Sequence, residues 1–352
     1  MDELDGIAAR VVARERGEAV GPWTLEVYPT LRCNLSCAFC DTTDRHRPAR
    51  GELPVERWLA LVDEAAALGA RRVYVLGGGE PMLAAATLPL MERAKAHGLR
   101  GMLTTNGTRL DARARERIVD MGWDEVHLSV DGADPATHDA LRGQAGAFRR
   151  TVSAACALRA LRGGQPTPFL ALHTVLTRLN WTQIPAIVRL AHAVGAGRVD
   201  FDALVAYRPE QEALRLSPEE AGRLPEAARA GLAEAARLGV RTTLESFLAP
   251  DALARGSRPP VAGAGEGLAA APCLKAWHHL VVQADGRTSP CCVLAGEGES
   301  LAEGDLAALW EGSPRLGAIR AGMRTGRAPG RCSECSENIL VHERAIRARL
   351  SA

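Results

Sequence analysis

No stretch of this 352-residue chain approaches eighteen consecutive apolar residues, and its opening, Met1-Asp2-Glu3-Leu4-Asp5, is acidic with no apolar segment behind it. Both absences speak against a membrane span and a secretory signal. A surplus of charge is missing too: 43 Lys and Arg stand against 42 Asp and Glu, interspersed rather than blocked, for a formal charge of +1. Nucleic acid and membrane surfaces are bound through an excess of basic groups, so neither is an expected partner. No repeat of fixed period is present, which removes solenoids and propellers. The expected compartment is the cytoplasm, where nine cysteines point to metal or redox use rather than to a disulfide framework.

What is present is ample apolar content, 47% of residues, over a length that exceeds one average domain. From residue 23 to about 245, short apolar or β-branched runs alternate with longer amphipathic ones, the pattern of βα units around a parallel sheet. Strands are expected at 24–29, 72–76, 100–104, 125–130, 169–176 and 198–204. Helices are expected at 55–68, 85–97, 112–121, 148–161 and 184–193. A run of good helix formers at 217–238 and one more short strand at 240–244 follow. The fold class is therefore α/β, a partial (β/α)6 barrel, in which ligands gather at the carboxyl ends of the strands. The Gly, Pro and Ala-rich residues 256–271 read as a linker. These boundaries give an N-terminal extension (1–22), a barrel (23–255), the linker, and a small α+β domain with a tail (272–352).

Directly after the first strand comes Leu31-Arg32-Cys33-Asn34-Leu35-Ser36-Cys37-Ala38-Phe39-Cys40. A four-iron four-sulfur cluster takes four thiolates, one per iron, so a loop offering Cys33, Cys37 and Cys40 leaves one iron open as a reaction site. The alternative is a zinc knot or a set of inert structural thiols. The run, with Phe39 before its last cysteine, resembles the signature of the radical S-adenosylmethionine (SAM) superfamily. That resemblance implies a 4Fe–4S cluster whose open iron is chelated by SAM, with Phe39 near the adenine. It also implies the partial barrel, and reductive cleavage of SAM to a 5′-deoxyadenosyl radical that takes a hydrogen atom from substrate.

Three further motifs fall at strand ends. Gly77-Gly78-Gly79-Glu80-Pro81 is by itself a tight turn, but its glycines permit close backbone approach and Glu80 can accept from an ammonium group. Placed after the cysteine run, it resembles the element that holds SAM's amino group in the superfamily, which implies cofactor contacts at Gly78, Gly79 and Glu80. Thr104-Thr105-Asn106-Gly107 is first a turn signal, and its place at the barrel mouth adds Thr105 and Asn106 as cofactor or substrate contacts. Ser129-Val130-Asp131-Gly132, followed by His138 and Arg142, resembles a pattern of the SPASM and twitch branch of the superfamily. There Ser129 and Arg142 would bind SAM's ribose and carboxylate, whereas Asp131 caps the next segment and His138 is structural. Around the sixth strand, alternation puts Asp200, Asp202 and Leu204 on one face. Leu204 falls near the family's adenine contact, and the two acids need polar partners, with substrate hydroxyls or amines as one use.

A second cysteine set closes the chain: Cys273, Cys291-Cys292, Cys332 and Cys335. Asp285-Gly286 is a strong turn pair between strands expected at 281–284 and 287–289, and a helical segment at 305–323 leads back to Cys332 and Cys335. The layout resembles the twitch domain, a shortened SPASM domain with one auxiliary 4Fe–4S cluster, and the resemblance implies Cys273, Cys291, Cys332 and Cys335 as its ligands. Cys292 is left over, as an alternative ligand, an inert thiol or a hydrogen-atom donor to the substrate. A four-thiolate zinc is the alternative for the whole set. Cys156, among Ala154, Ala155 and Ala157, is expected in the core.

Two clusters beside one substrate favour a reaction in which the substrate radical is oxidised. The expected function is oxidation or epimerisation of a sugar, polyol or aminocyclitol-like metabolite, because the roughly thirty residues before the first motif leave no room for a peptide-binding domain. The alternatives are a radical maturase of a ribosomally made peptide and a non-catalytic iron-sulfur or zinc protein. An external one-electron donor such as flavodoxin or ferredoxin is the other implied partner.

Overall fold

In a computed structural model, the described residues are 2–40, 51–249, 253, 267–335 and 337–350. The chain enters through helix α1 (Glu3–Glu15) and strand β1 (Thr24–Val27), whose four side chains are all buried. From there strands and helices alternate. They run α2 (Val55–Ala67), β2 (Arg72–Val75), α3 (Thr87–Ala96), β3 (Arg100–Thr105), α4 (Ala112–Asp120) and β4 (Glu125–Ser129). Next come α5 (Pro135–Arg142), α6 (Ala147–Arg162), β5 (Phe169–Leu176), α7 (Ile184–Val194), β6 (Arg198–Ala203), α8 (Pro218–Leu238) and β7 (Arg241–Thr242). Side-chain caps mark the helix starts: Asp111 Oδ1 accepts from the Ala114 N–H at 2.8 Å and Asp134 Oδ1 from the Thr137 N–H at 2.9 Å, each satisfying a donor the first turn leaves open.

All seven strands are parallel neighbours in chain order, the partial barrel the alternation implies. Helix side chains such as Trp58, Leu90, Ile118 and Ile187 cover one face of the sheet against Val73, Leu103, Val126 and Val199. The other face is polar and internally paired. Glu26 meets His279 at 2.9 Å, Arg198 meets His127 at 2.8 Å and Asp200 at 2.9 Å, and His173 meets Asp202 at 2.8 Å. The acids of β6 thus have polar partners within the barrel, Arg198 for Asp200 and His173 for Asp202.

The C-terminal region joins this sheet. Strand β8 (His279–Val282) pairs parallel with β1, Leu25 opposite Leu280, and β9 (Thr288–Ser289) pairs antiparallel with β8. The hairpin's first strand thus starts two residues earlier than the expected 281–284, in register with β1. The helical segment at 305–323 is two helices, Leu306–Gly312 and Pro314–Arg324. Ser313 breaks it, its hydroxyl accepting from the Leu316 N–H at 3.0 Å ahead of a proline that starts the second helix. A last helix, Glu337–Leu350, buries Ile346 with Ile7 and Val11 of α1 and with Leu274, Trp277 and Ile319. Of the expected linker, residues 256–266 lie outside the described residues. No helix among the described residues is long and apolar enough to cross a membrane.

Candidate functional site

Carboxyl ends of parallel strands leave their last residues and loops around one opening, and here a cavity of about 310 Å³ occupies it. Cys33, Cys37, Phe39 and Cys40 line it from the loop after β1, and Gly77 to Glu80 from the loop after β2. Thr105, Asn106, Ser129 and Arg142 are in the lining as expected, with Thr104 beside them, while Leu204 is buried just after β6 and is not in the lining. His173 and Val175 of β5 line it as well. Sequence reading missed His173, although a histidine at an alternate position of an otherwise apolar strand was the available signal.

The glycine loop is built against the cysteine loop. The Gly79 N–H donates to the Thr30 carbonyl at 3.1 Å and the Glu80 N–H to the Arg32 carbonyl at 2.8 Å. A Cβ on Gly79 would lie 2.0 Å from the Arg32 oxygen, so the close approach itself requires glycine. Glu80 is buried and works inward: its carboxylate accepts from Thr105 Oγ1 at 2.6 Å, the Asn106 N–H at 2.7 Å and the Met82 N–H at 3.1 Å. Burial pushes its carboxyl up against those bonds; Oε1 takes two of the three donors and Oε2 one, which leaves Oε2 a lone pair to accept a further donor. Asn106 ties the third strand end to the cysteines, its Nδ2 donating to Asn34 Oδ1 at 3.1 Å and lying 3.9 Å from Cys33 Sγ.

Helix α5 holds the other side. Ser36 and Ala38 donate their N–H groups to the carbonyls of Arg142 and Leu141 at 3.2 and 2.8 Å, so the last turn of α5 clamps the cysteine loop. Arg142 Nη1 donates to Cys37 Sγ at 3.6 Å, and the guanidinium sits 5.5 Å from the Phe39 ring centroid. Its Nε is buried without a hydrogen-bond partner, and the side chain lines the cavity. His138 is buried as a neutral acceptor for the Asp131 N–H at 3.2 Å, and burial first, then Arg142, pushes its pKa down to about 4. Burial lifts the Cys33 thiol to about 11.

A second, apolar space is lined by Cys273, Cys291, Cys332 and Cys335, with Leu294, Ile319 and Met323. Cys292 is exposed and outside it. Glu343 of the last helix lies behind, accepting from the Leu274 N–H at 2.9 Å and meeting His278 at 3.2 Å. Among the described residues no three His, Cys, Asp or Glu side chains converge tightly enough to hold a single metal ion. Both thiol sets instead ring a space, the arrangement a polynuclear cluster requires because each thiolate binds a different iron. The first set also has an open buried donor and a glycine wall at its rim, a fit for a cluster plus a ligand with carboxylate and amino groups. Cys156 is exposed on α6, which corrects the core assignment: the buried stripe of that helix is Thr151, Ala154, Ala155 and Leu158, and one more residue turns the chain outward.

Comparison with known proteins bears on what this site does. Residues 27–191 match the Radical SAM superfamily and residues 273–336 match SPASM, an iron-sulfur cluster-binding domain. The PqqA peptide cyclase of Granulibacter bethesdensis is 29% identical over 315 residues, 87% of this chain and 77% of that protein. The PqqA peptide cyclase of Gluconobacter oxydans is 32% identical over 275 residues, 77% of this chain and 70% of that one. Among solved structures, Streptococcus suis SuiB bound to S-adenosylmethionine superposes with a TM-score of 0.68 at 18% identity, over 89% of this chain and 71% of SuiB. The expectation of a sugar, polyol or aminocyclitol substrate is overturned by the two cyclases, which resemble this chain along most of its length and are named for a peptide.

Proposed function

Because the chain belongs to the radical SAM superfamily and carries a C-terminal SPASM iron-sulfur domain, we propose that it is a radical maturase of a ribosomally made peptide. The observation that carries this reading is the extent of likeness to the peptide cyclases, which covers 87% of the chain in one case and 77% in the other. The cofactors of such a chain are SAM and 4Fe–4S clusters. In this reading Cys33, Cys37 and Cys40 hold the cluster that receives SAM, and Cys273, Cys291, Cys332 and Cys335 hold one auxiliary cluster, as in the twitch form. Cys291 rather than Cys292 is the ligand because it lines the space with the other three.

When bound, SAM and the clusters supply a hydrogen-abstracting radical and an acceptor for the substrate's remaining electron, with flavodoxin or ferredoxin as external donor. The chain's own residues aim and dry the site. Gly78 and Gly79 let the backbone approach the ligand, Glu80 fixes Thr105 and Asn106, Ser129 offers a hydroxyl, Phe39 a stacking face, and Arg142 a guanidinium at the rim.

The test is anaerobic reconstitution of the full chain with iron and sulfide, then incubation with SAM, a strong reductant and the short peptides encoded beside its gene. Mass spectrometry should find 5′-deoxyadenosine together with a peptide lighter by two hydrogens. Turnover of SAM with every such peptide unaltered would overturn the peptide reading. No 5′-deoxyadenosine from a fully loaded sample would overturn the enzyme.

A further inference from the structure

Asp131 follows β4, is wholly buried, and is tied to three elements. Its Oδ1 accepts from the Val175 N–H of β5 at 2.8 Å, its N–H donates to His138, and its carbonyl accepts from Asn180 Nδ2 at 2.9 Å. Its Oδ2 forms an ion pair with Arg142, whose side chain is also buried. Arg142 in turn donates to Cys37 Sγ at 3.6 Å. A carboxylate, a guanidinium and a cysteine sulfur therefore stand in series, the first two buried. The backbone contacts that clamp the cysteine loop come from the same helix end, so the series has little freedom to slide.

We propose that the Asp131–Arg142 ion pair sets the reduction potential of the cluster bound by Cys33, Cys37 and Cys40, with Asp131 as the positioning residue for Arg142. The proposal rests on the assignment of those three cysteines as cluster ligands. Reduction adds one electron from the external flavodoxin-class donor, makes and breaks no bond, and leaves the cluster one unit more negative. A cation and an N–H bond at a ligand sulfur stabilise that reduced form, and potentials of such clusters follow local charge and hydrogen bonds to sulfur. The pair is buried, so neither charge is screened as it would be at the surface. Arg142 pulls the potential up and Asp131 tempers it.

Opposite charges predict opposite shifts, which a merely structural pair does not. The experiment is a redox titration of the full-length, anaerobically reconstituted chain, following by electron paramagnetic resonance the reduced-cluster signal that changes on adding SAM. Asp131→Asn keeps the Val175 bond and removes the anion, and its midpoint should move up. Arg142→Gln removes the cation, and its midpoint should move down, with Arg142→Lys closer to wild type. Iron content is measured alongside. Shifts of the same sign, no shift in loaded protein, or equal shifts in the Lys and Gln variants would overturn the proposal. If Asp131→Asn takes up no iron, the Lys and Gln pair alone decides. A wild-type chain with no SAM-responsive signal, and iron uptake indifferent to Cys33→Ala, would overturn the ligand assignment and the proposal together, and is told apart by that control.

Discussion

Buried thiols bind protons tightly at both cysteine sets, Cys33 lifted to about 11 and Cys335 to about 12 by removal from water. A side chain so placed is neutral until a metal takes the proton's place. Replacing both Cys332 and Cys335 by Ala should lower iron in the reconstituted chain from about eight to about four per molecule, measured by colorimetric iron assay; full retention would refute the C-terminal ligand assignment. His138 supplies a pH dependence. Its folded pKa of about 4 lies below the ordinary value of 6.5, so the unfolded chain takes up the proton first. Stability present above pH 6.5 is lost as the pH falls toward 4, by up to about 3 kcal/mol from this residue. Urea midpoints at pH 7 and pH 5 should therefore differ less in His138→Gln than in wild type. Single residues were legible where the chemistry is local. The cysteine spacing and the Gly77 to Glu80 run announce themselves over ten residues or fewer. The structural role of Asp131 and the presence of His173 did not, because Val175 and Asp202 reach them from other strands, 44 and 29 residues away.

Elements show the same division. The strands from β1 to β6 begin where alternation and β-branching place them, since the core fixes their register. Helix α5 escaped notice: it has eight residues, several of them polar, and its role lies in backbone carbonyls that any sequence supplies. One residue at its end does carry a signal. Gly143 has φ +63°, and a Cβ there would lie 2.2 Å from the Ser36 carbonyl oxygen. Gly143→Ala should cost at least about 1 kcal/mol from the backbone conformation alone and push the cysteine loop off its clamp. Iron at the first site should fall while the C-terminal site keeps its own, a split readable from total iron in the Cys332→Ala, Cys335→Ala background. Helix α1 was likewise read only as an extension. Its buried Ile7 and Val11 matter because Leu274, Trp277 and Ile346, far away in sequence, complete their cluster.

At the scale of the whole molecule, the expected barrel and C-terminal region share one nine-stranded sheet, because β8 docks on β1. That pairing is not readable from either segment alone, since hydrogen bonds between strands some 250 residues apart leave no periodic trace. Heating the full chain should give one cooperative transition for both regions in calorimetry, and two separated transitions would contradict the shared sheet. A chain ending at residue 255 would leave β1 as a bare apolar edge, and it should aggregate on expression rather than yield a free barrel.

The double pairing of β1 has a further consequence. Four residues, Thr24–Val27, are bonded to β2 on one side and to β8 on the other, and the strand runs directly into the first cysteine loop while β8 begins six residues after Cys273. A distortion that loosens either ladder of β1 therefore reaches both sulfur-lined loops at once. The two sites stand or fall with the hydrogen bonds of a single short strand.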